Sequence, residues 1–256
     1  CDEVAVNRML AEKVEDSRDS KVLKNFGFDD IELSTFYAYR NIFKSHKPDD
    51  ARNALNDIEF LKNIGAYKTD RESGITGLTV AGLLMFGKSI SIEDALPNYN
   101  LDYQERPRAV TEQRWIDRVT IDGSWSGNVF DFYRIVINKL FANIKVPFKL
   151  EGDKRKDDTP VHHAIREALI NTLVHADFTD RISVLIVKRP DMFGFRNPGN
   201  MRVPIEVAIK GGESDCRNRI LQKMFMLIGY SERAGSGIPN IFSGWSSQNW
   251  AKPLLY

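Results

Sequence analysis

Apolar positions recur at helical spacing through the first quarter of the chain. Asn7 to Val14 and Ser20 to Asn25 read as short helical patterns. Asp29-Asp30-Ile31-Glu32 reads as a capped start that leads into Leu33 to Arg40, with acidic groups in the first turn. Asp49-Asp50 opens a further helical stretch, and Ile58, Leu61 and Ile64 share one face around Glu59-Phe60. The texture then changes. Tyr67 to Gly74 is a polar turn, and Ile75 to Leu78 is short and strand-like.

A helix followed by such a hairpin resembles the end of a winged-helix unit, although a helical linker with a local hairpin accounts for it more simply. Residues 98–129 hold Asn, Asp, Arg and Trp between short apolar pieces. Phe130 to Ile144 is amphipathic, with Phe132, Ile135, Val136, Leu140 and Phe141 on one face. The charged run Leu150 to Thr159 reads as a solvated loop. Thr159-Pro160 is an N-cap followed by proline at the first helical position, and the helix it opens should run from His162 to about Ala176. Ile182 to Val187 and Met192 to Arg196 form a hairpin about Arg189-Pro190-Asp191. Asn197-Pro198-Gly199-Asn200 is a loop. Arg219 to Ile228 is helical and closed by Gly229, and Ala234-Gly235-Ser236-Gly237 opens a last helix at Ile238.

Composition narrows the classes. The chain has 256 residues, with Lys+Arg 36 against Asp+Glu 35. That length suggests about two domains, and the balance excludes a globally basic nucleic-acid binder. Two cysteines, Cys1 and Cys216, make no disulfide framework and suit a reducing, cytoplasmic setting. No apolar run approaches the ~18 residues of a membrane span. The chain starts without Met and stops abruptly, so it is expected to be a fragment of something larger.

Gly82 to Ser89 matches the phosphate-loop pattern G-x-x-x-x-G-K-[ST]. Its central residues are Leu, Leu, Met and Phe, too bulky and apolar for a wet backbone cradle. A buried helical turn from Ala81 to Phe86, stopped by Gly87, is the better reading, so this is no P-loop helicase.

The helix after Thr159 carries His163, Glu167, Asn171 and His175 every fourth residue, on one face. A solvated face would use Lys freely, and this one has none. A carboxylate can orient water or act as a base, and an amide oxygen can be a hard ligand for Mg²⁺. A metal-dependent hydrolase built on His163, Glu167, His175 and Asp177 is a weaker alternative. His162-His163 reads as an exposed helix start, and Trp245 with Trp250 as core or contact surface. Arg106 and Arg108, followed by Arg114 and Arg118, are the local candidates for a phosphate contact, but interspersed Glu105, Glu112 and Asp117 favour an ordinary surface turn.

The segments Glu167 to Phe178, Arg196 to Asn200, Arg217-Asn218-Arg219 and Glu232 to Ile238, taken in that order, resemble a bacterial and archaeal family of predicted transcriptional regulators. That family is related to the C-terminus of an ATP-dependent DNA helicase, RecG. Leu78 to Gly87 also resembles the family's middle segment. The resemblance implies a divergent GHKL-like module: an α/β (α+β), Bergerat-like two-layer sandwich with a nucleotide between sheet-covering helices and a mobile lid. It implies residues 1–95 as a helical linker region with a wing-like hairpin, and 96–256 as the GHKL-like domain. It implies ATP and Mg²⁺ as cofactors, Glu167 as the water-activating carboxylate and Asn171 as the Mg²⁺ ligand. His175 and Asn197 join the nucleotide site, with Gly199 on the adenine side, Gly235, Ser236 and Gly237 on the phosphate side, and 201–234 as the lid. Weak ATPase activity is an open alternative.

DNA would be met through a Schlafen/Alba-type domain and a winged helix lying outside these residues, and a homodimer fits a regulator. Asn197 stands where GHKL ATPases carry an adenine-binding Asp, and an amide supplies no charge there. Two functions are compatible with these features: a nucleotide-responsive switch in a DNA-binding regulator, or a GHKL-shaped structural or dimerisation domain that binds no nucleotide.

Overall fold

The computed structural model describes residues 17–108, 114–142, 144, 149–151, 154–156, 159–231, 235–248 and 250–256. The pattern at Asn7 to Val14 and the residues Glu112, Asp153 and Glu232 to Ala234 lie outside them.

The N-terminal region is mostly helical. It holds α1 (Leu33–His46), α2 (Asp57–Ile64), a small hairpin of β1 (Tyr67–Thr69) and β2 (Thr76–Leu78), α3 (Val80–Phe86) and α4 (Ser89–Ala95). Glu32 caps α1 and Asn56 caps α2, each accepting a first-turn N–H. Asp50 caps only a 3-10 turn, Ala51–Ala54. Ser20 to Asn25 departs from the helical expectation. Lys21 is extended and Val22 bridges to Thr79, because the segment serves as an edge partner for the hairpin. Tyr67–Thr69, expected as turn, pairs with β2 for the same reason, and the turn is confined to residues 70–75.

The false phosphate loop is a core helix. Ala81 to Phe86 are all buried, and Thr79 caps α3 by accepting the Gly82 N–H at 3.1 Å. Gly82 is glycine because a Cβ there would overlap the Ala66 carbonyl. Phe36, Tyr39, Phe60, Phe86 and Phe130 then meet edge to face at 5.1–6.4 Å.

Beyond lie β3 (Leu101–Glu105), β4 (Asp117–Thr120), α5 (Val129–Phe141), β5 (Lys149–Glu151), β6 (Lys154–Lys156), α6 (Pro160–Val174), β7 (Val184–Arg189), β8 (Met192–Arg196), α7 (Ile205–Lys210), α8 (Arg219–Leu227) and α9 (Gly237–Ser246). The charged run is a short antiparallel β5–β6 pair rather than a plain loop. The main sheet has the order β4-β3-β7-β8. β3 and β7 are parallel, with Leu101 opposite Val184 and Tyr103 opposite Ile186, and the outer pairs are antiparallel. These four residues are buried in the core shared with α5 and α6.

Their alternates Asp102 and Gln104 point to the other face, where Arg118 grips Asp102 through two bonds of 2.9 and 3.0 Å. Arg106 lies on Gln104. Both arginines thus have partners on the sheet. Lys188, itself buried, reaches the end of α5 and donates to the Lys139 and Ala142 carbonyls at 2.7 and 2.9 Å. The architecture is mixed α+β: a helical N-terminal region and a mixed sheet covered by helices, compatible with a GHKL-like sandwich.

Candidate functional site

Helix α6 places the expected stripe. Thr159 and His162 form a capping box, with Thr159 Oγ1 2.8 Å from His162 Nδ1. The His162 ring meets Phe141 edge-on at 4.7 Å, so it is a packing and capping residue. His163 is exposed, while Glu167, Asn171 and His175 are half-buried, with His175 ending the helix.

α9 runs antiparallel along α6. A Cβ on Gly237 would lie 2.5 Å from both Glu167 Oε1 and Asn171 Nδ2, and a Cβ on Gly244 would overlap the Pro160 carbonyl. The fold therefore brings Glu167, Asn171 and Gly237 together. The Glu167 carboxylate sits at the positive end of α9, where the helix dipole favours it. Gly235 has φ +91° and its carbonyl accepts the Gly212 N–H at 3.0 Å, which ties the α9 turn to the loop after α7.

The other end of α6 forms a second cluster. Gly199 has φ +98°, and a Cβ there would lie 2.8 Å from the Arg217 guanidinium. Arg217 is 2% exposed. It donates to the His175 and Asn200 carbonyls at 3.2 and 3.0 Å and stands 3.9 Å from Asp177. Asp177 also pairs with Arg18 at 3.0 Å, accepts from Thr179, and donates its N–H to the Pro198 carbonyl. Burial pushes the Asp177 carboxyl up, but the Thr179 hydrogen bonds with Arg18 and Arg217 outweigh it and leave it below the ordinary range. Burial lowers His175, helped by Arg217 and Arg202 and opposed by Asp215. Asn197 is near this cluster, and its amide reaches the Pro198 carbonyl at 3.5 Å.

Sequence reasoning marks Arg217 and Asp177 without showing that they fill the space beside Gly199. The one local signal is Asp177, an ionisable residue between the apolar Ala176 and Phe178. Among the described residues, no three of His, Cys, Asp and Glu gather closely enough to hold a metal ion.

A magnesium-bound nucleotide would need Glu167, Asn171 and the glycine N–H groups around its phosphates, and a slot beside Gly199 for its base. The donor types suit that task. Glu167 and Asn171 close directly on Gly237, α9 is held against α6 by the Gly244–Pro160 approach, and the Arg217 guanidinium occupies the Gly199 side. In this arrangement the α6–α9 face is closed by side-chain ends at Gly237 and by backbone at Gly244.

Comparison with known proteins agrees with the fold. Residues 180–256 match the family model described as "Putative ATP-dependent DNA helicase recG C-terminal", and residues 7–102 match a domain of unknown function. The first of these supports a relation to the RecG C-terminus and an ATPase-type module. The crystal structure of the DIP2311 protein from Corynebacterium diphtheriae superposes with TM-score 0.65 and 18% identity, over 96% of this chain and 46% of that one. The chain thus spans less than half the length of that protein, and the likeness is one of fold. No curated protein matches. Among the described residues no helix is long and apolar enough to cross a membrane.

Proposed function

We propose that this chain is part of a DNA-associated regulator, and that its RecG-related module works there as a GHKL-shaped scaffold that binds no nucleotide. The observation that carries this reading is the direct contact of Gly237 with Glu167 and Asn171. A helix–helix joint stands where a nucleotide-binding relative would keep a cleft. The division near residue 95 and assembly as a homodimer belong to the same proposal. So does DNA contact through other parts of a longer protein. Two observations support the last point: Arg106 and Arg118 are spent inside the sheet, and the matched structure is much longer than this chain.

The nucleotide-responsive switch is the second reading. What favours it is the carboxylate–amide pair, one helical turn apart, set at the N-terminus of α9. Under that reading ATP would shift a population by binding the open arrangement better.

Calorimetric titration with ATP and Mg²⁺ at millimolar concentration separates the two. Absence of heat, with no thermal shift, supports the scaffold. Saturable binding that Asn171→Ala abolishes without loss of fold overturns it in favour of the switch.

A further inference from the structure

Helix α8 belongs by sequence to the RecG-related segment, yet the N-terminal region holds it. Its own N-cap residue does not cap it, since the Asn218 amide donates to the Val174 and Ala176 carbonyls at 3.0 and 2.8 Å. The first-turn N–H groups of a helix need acceptors from somewhere. Here Ile220 and Leu221 both donate to Asp19 Oδ2 at 2.9 Å, and Arg219 donates to Ser17 Oγ at 3.0 Å. Asp19 is fully buried, and Ser17 Oγ also hydrogen-bonds to its second carboxylate oxygen.

The grip continues along the helix. The buried Tyr39 hydroxyl donates to the Met224 carbonyl at 2.8 Å, and Lys223 Nζ reaches the Asn63 carbonyl at 3.3 Å. Ile220 rests on Gly65, and Gly229, just past the helix, rests on the His46 ring. On another side Phe225 meets Tyr133 edge-on at 5.3 Å. A helix as short as α8 is marginal alone and takes its stability from such docking.

We propose that the N-terminal region is a socket for α8, and that the turn Ser17–Asp19 is the latch that keeps the helix seated. Through it the N-terminal region holds the start of α8 in place, so that the two sequence segments share one helix. The latch holds whether or not the α6–α9 face takes a nucleotide.

Hydrogen exchange read by mass spectrometry on the full chain tests it, with Asp19→Ala, Asp19→Asn and Ser17→Ala. In Asp19→Ala, exchange across 219–227 should rise at least about tenfold, while 129–141 stays unchanged. Asp19→Asn, whose amide oxygen still accepts, should fall between that variant and the parent. Should Asp19→Ala fail to fold, Ser17→Ala and Asp19→Asn must show the same local pattern in milder form. Unchanged exchange at 219–227, or an equal rise at 129–141, overturns the latch.

Discussion

Gly244 packs its Cα directly beneath the Pro160 carbonyl, so a side chain of any size there would collide with α6 backbone. Gly237 meets only the ends of the Glu167 and Asn171 side chains, which can rotate away. Gly244→Ala should therefore destabilise the protein by about 1–3 kcal/mol. Gly237→Ala should cost less than half of that, because alanine's better helix propensity offsets part of the strain. Urea unfolding of both variants checks the order. A Gly244→Ala variant as stable as the parent would show that α9 does not lie on α6 in this way.

Arg217→Met should be among the most damaging single changes near α6. It leaves the buried Asp177 carboxylate with less charge compensation and strips the His175 and Asn200 carbonyls of their donor. Removing one partner of such a buried set costs about 3–5 kcal/mol. Arg18→Met removes the more exposed partner of the same carboxylate and should cost less. Thermal denaturation of the pair gives the comparison.

His175 gives the protein a distinct pH response. Its folded pKa lies below the ordinary 6.5, so the unfolded chain takes up the proton first. Its contribution to stability is intact above pH 6.5 and is lost as pH falls from there toward the folded value. The drop in unfolding free energy between pH 7.5 and 5.5 should be smaller in His175→Asn than in the parent. Parallel pH profiles in the two proteins would sink this assignment.

Cys216 should be inert to thiol reagents in the native state. Burial, the dominant cause, pushes its pKa up to about 12, and its Sγ lies 3.5 Å from the Val174 carbonyl. Labelling followed by peptide mapping should find Cys216 unmodified until denaturant is added, whatever happens at Cys1.

Short-range features of the fold are legible in the sequence. The Thr159-Pro160 helix start, the Met192 to Arg196 strand and the buried helix at Ala81 to Phe86 follow from capping chemistry, alternation and bulk, all local properties. Glu167, Asn171 and Gly237 are grouped in the sequence only through the family resemblance. What escapes is non-local. Ser20 to Asn25 looks helical until its pairing with Thr79 is known, and Tyr67–Thr69 looks like turn until β2 is placed beside it. Nothing local to Ser17 and Asp19 says that the helix they cap begins at Arg219. The filling of the Gly199 side by Arg217 also depends on a contact between distant segments that spacing does not encode.

The parallel pairing of β3 with β7 bears on how the chain emerges during synthesis. The β3–β4 hairpin leaves the ribosome with one edge bare, and the strand that closes that edge lies beyond α5 and α6. Until Val184–Arg189 has been made, that edge can recruit a neighbouring chain instead. Asp102, Gln104 and Glu105 on β3 make it a poor surface for such recruitment, and so guard the nascent protein against aggregation during the interval.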